Sequence, residues 1–391
     1  MSRRRKAVLR KGSGRKAGAQ RNRPSVSVRV KPSYSKTVKN KAILKRRKRN
    51  RLILIIAASV LICATALFFI FRSSVFESAP DNISVTVAWN PGSITDDMVR
   101  VMSAAVDTQI TLQNITGANG ANGANAVFQS ERNGTYLLST SLSALVTAEA
   151  TGFSENSHNE WDAWLCAFSP AVIVVANDSP YSSVSDLLSA IIHNPGKLRC
   201  ANSGFGTISF TAAEIFSTRV VLEFDHISFS GSSQAIEALK SSDLQEDEAD
   251  FAILLSIEAA ESLRTGQLRA LGAFAEIEYI LQNGDSTIHI YPFIGMEGRL
   301  DDVLPIGEYF GLFIPADTPQ SQLHKLDTMI RTAVDSEVFE NFLREKGLVK
   351  AIPDRSIDST TIKNFSSIIN WTLYDVGFLP TNPGTLGIPR P

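Results

Sequence analysis

From residue 82 onward, hydrophobic and polar positions fall into short runs whose period keeps switching between two and about three and a half. Ile83, Val85 and Val87 alternate with polar neighbours and predict a strand. Behind them, Met98, Val101, Met102 and Ala105 share one face and predict a helix over 96–108. The rhythm then repeats. Strands are predicted at 110–113, 136–139, 198–201, 226–229, 251–255 and 268–274, and helices at 183–192, 207–218, 233–240, 258–265, 320–333, 336–346 and about 357–376. The run 171–176 (AVIVVA) is apolar throughout and reads as a strand buried on both faces, the parallel-sheet type. Such alternation predicts the α/β class, with parallel sheets covered by helices. About 310 residues exceed what one core usually spans, so two lobes are expected.

Upstream the pattern is different. Residues 52–71, LILIIAASVLICATALFFIF, contain no charge and no proline. A run of about 20 apolar residues matches the hydrocarbon thickness of a bilayer and predicts one transmembrane helix. Lys45–Arg49 and Arg51 stand directly before it, which places the N-terminus in the cytoplasm and the body outside. A cleaved leader is the rival reading, because Ala64-Thr65-Ala66 imitates a cleavage site. The apolar run is longer than such leaders carry, which favours an uncleaved anchor and a single-pass cell-membrane location.

The formal net charge of zero hides two unlike parts. Residues 1–51 hold 21 of the 39 Lys and Arg and none of the acids, whereas all 39 Asp and Glu follow Phe71. Residues 1–51 are expected to be a disordered tail on the inner leaflet, touching anionic lipid. Only Tyr34 interleaves its charges, so nucleic acid is not expected as a partner. Residues 72–81 read as a linker. Cys166 and Cys200 are the only cysteines beyond the span; they form one disulfide or lie apart as buried thiols.

Two strand–turn–helix junctions carry the candidate chemistry. Helix N-termini leave amides unpaired and partly positive, so small residues there make an anion site. In the first, Asn90, Gly92, Ser93, Thr95 and Asp96 follow the strand, with Ser93 as helix cap and Asp96 as its capping-box partner. In the second, Ser203, Gly204, Gly206 and Thr207 lie within NSGFGTISF. Trp89 and Phe205 flank these turns and are placed to wall a ligand. Enzyme signatures are missing: there is no H-E-x-x-H, no G-x-S-x-G and no Walker A loop. Gly204-Phe205-Gly206 begins like a dinucleotide fingerprint, but Ser209 replaces the third glycine. No catalytic residue, metal or cofactor is called for.

In order along 82–375 come Pro91-Gly92-Ser93-Ile94-Thr95-Asp96, the Gly/Ala/Asn run 114–123, Asn133-Gly134-Thr135-Tyr136-Leu137-Leu138, Pro195–Leu198 with Asn202–Thr207, Gly266–Leu271 and Tyr309–Pro319. Together these resemble the solute-binding receptors of tripartite tricarboxylate transporters, the Bug-type periplasmic binding proteins. The resemblance implies a two-lobed periplasmic-binding-protein type II fold. Lobe one would comprise 82–176 and 273–391, and lobe two 177–272. It implies a small organic acid held by backbone amides of the two turns, and membrane permease subunits as partners. Ser93 and Ile94 replace two family glycines, and Phe210 and Leu254 stand where polar residues are usual. The pocket is therefore expected to be more apolar than usual, suited to an aromatic or monocarboxylic acid or to have lost its ligand. The other function class considered is a ligand-sensing or interaction protein of the envelope.

Overall fold

The computed structural model describes residues 45–50, 53, 56–65, 82–240, 248–292, 300 and 302–391. The chain divides into two compact units, Met1–Val75 and Phe76–Pro391. The described residues of the first unit are helical and exposed. Among the described residues no helix is long and apolar enough to cross a membrane. Part of the expected span 52–71, most of the tail 1–51 and all of the linker 72–81 lie outside the described residues.

The second unit begins with β1 (Asn82–Val87), α1 (Ile94–Ser103), β2 (Gln109–Asn114), α2 (Ala121–Phe128), β3 (Tyr136–Ser141) and α3 (Leu142–Thr147). The long strand β4 (Trp161–Ala176) leads to α4 (Val184–His193), β5 (Arg199–Asn202), α5 (Ile208–Val220), β6 (Asp225–Ser228) and α6 (Ser232–Lys240). Then come β7 (Phe251–Leu255), α7 (Ser256–Arg264), β8 (Leu268–Ala273) and the hairpin β9 (Tyr279–Asn283) and β10 (Ser286–Ile290). The chain returns through β11 (Gly307–Pro315), α8 (Gln320–Val334), α9 (Glu337–Lys346), β12 (Val349–Lys350) and α10 (Arg355–Asp375).

Among the described residues ten strands form one mixed sheet, in the order β2-β1-β3-β11-β4-β7-β5-β6, with β8 and β12 also paired to β4. On one side β1 lies parallel between β2 and β3. On the other, β5 lies parallel between β6 and β7. These two parallel triplets are joined through β4 and β11. The first half of β4 pairs antiparallel with β11, and its second half pairs antiparallel with β7 and β8. The expectation of wholly parallel sheets is thus corrected. Strand β4 is apolar because helices and strands bury both its faces, and that burial does not depend on direction.

Buried side chains form separate clusters on the two faces of each triplet. Met98, Trp164, Leu326 and Phe339 pack on one face of the first, and Leu138, Leu145, Phe313 and Ile369 on the other. Phe216, Phe224, Phe251 and Phe274 fill one face of the second triplet. Cys166 and Cys200 are free and buried in different clusters, so the disulfide alternative falls away. Helix starts follow ordinary capping chemistry. Ser93, Ser183, Thr207 and Ser336 each accept the amide of the third helical residue.

Candidate functional site: corners at the carboxyl ends of the parallel strands

The first corner follows β1. Gly92 alone adopts positive φ, at +80°, while Ser93 is extended and Ile94 already begins α1. One glycine therefore suffices, and a branched residue at 94 is tolerated because its backbone is helical. Ser93 Oγ caps the Asp96 amide at 3.4 Å, as expected. The reciprocal arm differs from the expected capping box. Asp96 reaches one residue further back and accepts the Gly92 amide at 3.0 Å. It also accepts Asn114 Nδ2 at 3.1 Å and Arg100 Nε at 2.8 Å. The hydrogen bond from Arg100, followed by those from Gly92 and Asn114, outweighs burial and holds this carboxyl down to about 2. Asp96 is buried and braces the turn from inside, so it is not placed to touch an acid.

What remains available at this corner is backbone. The amides of Ile94 and Thr95 have no acceptor among the described residues. Asn90 and Gly92 are exposed, and the Asn90 carbonyl accepts the Ser93 amide at 3.1 Å. Thr95 is buried and its carbonyl accepts Ser139 Oγ at 3.1 Å. Trp89 is half-buried, and its Nε1 donates to Thr140 Oγ1 at 3.2 Å, tying the first corner to the one after β3.

The Gly-Ala-Asn repeat forms the corner after β2. Four successive residues have positive φ: Gly117, Ala118, Asn119 and Gly120. Gly120 lies against Ala88, Thr140 and Ala144. Gly123 begins no turn; it lets α2 approach β1, and a β-carbon there would stand 2.9 Å from the Ile115 carbonyl and 3.1 Å from Ala88 Cα. Three corners thus crowd together at one end of the sheet.

The corner of the other triplet lies between β5 and α5. Gly204 and Gly206 have φ of +138° and +83°. The Ser203 amide donates to Ser209 Oγ at 3.0 Å, and the Gly204 amide to Asn202 Oδ1 at 3.1 Å. Thr207 Oγ1 caps the Phe210 amide at 3.2 Å and donates to the Gly204 carbonyl at 2.7 Å. The amides of Phe205, Gly206, Ile208 and Ser209 have no acceptor among the described residues. Sequence reasoning missed Asn202, which is fully buried with its Nδ2 unpartnered. Its place as the last strand residue before the turn was the available signal.

A second missed residue is Phe378. The turn ending α10 carries its ring onto Gly206, where an added β-carbon would overlap it. Phe205 meets Phe378 edge-on at 5.1 Å and Phe210 at 4.7 Å. Ile208 and Phe210 belong to the same buried cluster as Ala88, Leu138 and Leu142, against which Trp89 and Phe378 also pack. The two turns singled out in the sequence therefore border one apolar wall. Each offers unpartnered amides and neither offers a cationic side chain, which suits a carboxylate with an apolar body.

Residues 94–363 match the sequence profile of the family described as tripartite tricarboxylate transporter family receptor. The chain belongs to that family. This receptor is 27% identical over 295 residues to a UPF0065 protein of Bordetella pertussis, covering 71% of this chain and 83% of that one. Its fold is similar to that of a TctC solute-binding protein from Polaromonas, with TM-score 0.65 at 19% identity over 75% of this chain and 98% of that chain. A protein of R. palustris solved with adipate follows, with TM-score 0.57 at 18% identity over 76% and 98% of the two chains. Receptors of this family bind solutes outside the cytoplasm and are not enzymes.

Proposed function

We propose that the chain is a two-lobed receptor that captures a small organic acid between 82–176 with 273–391 on one side and 177–272 on the other. The supporting observation is the shared apolar wall. Trp89 from the first corner and Ile208 and Phe210 from the second pack on one cluster, beside unpartnered amides at both. The ligand carboxylate is read as bridging the amides of Ile94 and Thr95 and those of Phe205 and Gly206. Ser93, Ser203 and Thr207 line the approach, while Asn90, Gly92 and Gly204 shape it. The similar protein solved with adipate supports a carboxylic-acid ligand here.

The segment 52–71 is read as the anchor that keeps the body at the membrane, where a permease would take the acid. Retention of the full chain in alkali-washed membranes, and its loss after deletion of 1–77, is the expected outcome for that part. Ligand capture is tested by thermal shift of the full-length chain against a panel of carboxylic acids. A fitting acid at 100 times its dissociation constant stabilises the folded body by about 2.7 kcal/mol. Phe205 is half exposed, so Phe205→Ala should weaken binding without unfolding the body. A panel in which no acid shifts the transition refutes the reading.

A further inference from the structure

Glu308 is a charged residue that the ligand reading leaves unused, and it sits at the same end of the sheet. Strand β11 runs antiparallel to β3, with Phe310 opposite Ser141. Two residues earlier, Glu308 therefore falls just beyond the end of β3, at the start of α3. Only 5% of it is exposed. Its carboxylate accepts the Ser143 amide at 3.0 Å and the Ser143 hydroxyl. Among the described residues no cation pairs with it.

The corners at this sheet end are therefore unlike. The amides of Ile94 and Thr95 after β1 and of Gly117, Ala118 and Asn119 after β2 have no acceptor among the described residues, whereas the corner after β3 already holds a carboxylate supplied by the chain. That third corner borders the proposed ligand region. Leu142 and Phe210 lie in one cluster, and Trp89 is hydrogen-bonded to Thr140 beside it.

Resting on the receptor reading above, we infer that Glu308 is a built-in carboxylate that limits the ligand to one carboxylate of its own. With Glu308 ionised, a second ligand carboxylate reaching this corner finds the Ser143 donors taken and meets a like charge in a water-poor setting. Juxtaposed like charges cost several kcal/mol, enough to set preference between otherwise matched ligands. An apolar tail meets no such conflict and can pack on the part-exposed rings of Trp89 and Phe205.

The test is titration calorimetry on the full-length protein, its Glu308→Gln variant and its Glu308→Ala variant, at pH 8. The probes are two matched pairs, hexanoate with adipate and benzoate with terephthalate. The natural protein should prefer the monoacid of a pair by at least about tenfold. Both variants should narrow or reverse that ratio; Glu308→Gln keeps size and shape and guards against loss of the fold. Equal binding of both members by the natural protein, or an unchanged ratio in the variants, overturns the role of Glu308 alone. No binding of any probe by all three proteins overturns the receptor reading together with it.

Discussion

Gly206→Ala tests whether the aromatic ring of Phe378 truly seats on the second corner. At φ of +83° a non-glycine residue costs about 1–2 kcal/mol. The added methyl also overlaps the Phe378 ring, which must leave its place beside Phe205. Full burial of a Phe side chain is worth about 1.5–3 kcal/mol, and Phe378 is only half-buried, so its displacement costs about 1–2 kcal/mol. The sum predicts a loss of about 2–4 kcal/mol for Gly206→Ala. Gly92→Ala is the control, because its φ of +80° is similar but its surroundings are empty, and only the dihedral cost of about 1–2 kcal/mol remains. In a Phe378→Ala background the Gly206→Ala loss should shrink to that same value. Urea unfolding of the four proteins completes the cycle, with a coupling of about 1–2 kcal/mol expected between 206 and 378. If Gly206→Ala and Gly92→Ala cost the same, or the cycle is additive within about 0.5 kcal/mol, Phe378 does not occupy the corner.

Glu308 has its carboxyl pushed up by burial from 4.5 to about 7, and Asp358 likewise rises from 3.8 to about 7. A raised carboxyl favours the folded state fully below its unfolded pKa, and that contribution fades as pH climbs through the folded value. Glu308→Gln should therefore gain stability relative to the natural protein between about pH 4.5 and 7, by at most about 1.4 kcal/mol per pH unit; parallel urea midpoints across that window refute this. Burial moves His158 the other way, from 6.5 to about 4, so His158→Gln should blunt the loss of stability as pH falls through that interval. Ala118 stands at φ of +48°, and Ala118→Gly should raise the unfolding midpoint by a gain of up to about 1 kcal/mol; a lower midpoint shows that the left-handed turn is not strained. Burial pushes the thiols of Cys166 and Cys200 far up, so neither should react with a thiol reagent at neutral pH until the body unfolds.

Periodicity carried most of the parallel triplets, because each strand there is short, half-patterned and followed by a capped helix. Phe251–Leu255 and Gln320–Val334 match the predicted runs almost residue for residue. It failed where neighbours decide. Residues 161–170 contain Trp161, Cys166 and Ser169 in no clean alternation, yet they form half of β4, because β11 and β12 pair with them. Strand β11 is buried except at the half-buried Tyr309 and carries Glu308 and two glycines, a composition that local propensity scores against. The turns themselves were legible from Gly, Ser and Thr at strand ends. The inward turn of Asp96, the ring of Phe378 and the carboxylate of Glu308 were not. Each is fixed by a partner distant in the chain or by one residue's choice between two amides, and spacing alone says nothing about either.

Strand β4 bridges the two triplets, with its first half tied to β11 and its second to β7 and β8. During synthesis the first half emerges long before β11, since everything from 177 to 306 must be made in between. The 82–176 portion thus waits with an open edge until the C-terminal third arrives, and such late long-range pairing is slow. Interruption of the chain anywhere before β11 would strand that edge, exposed and ready to pair with another copy.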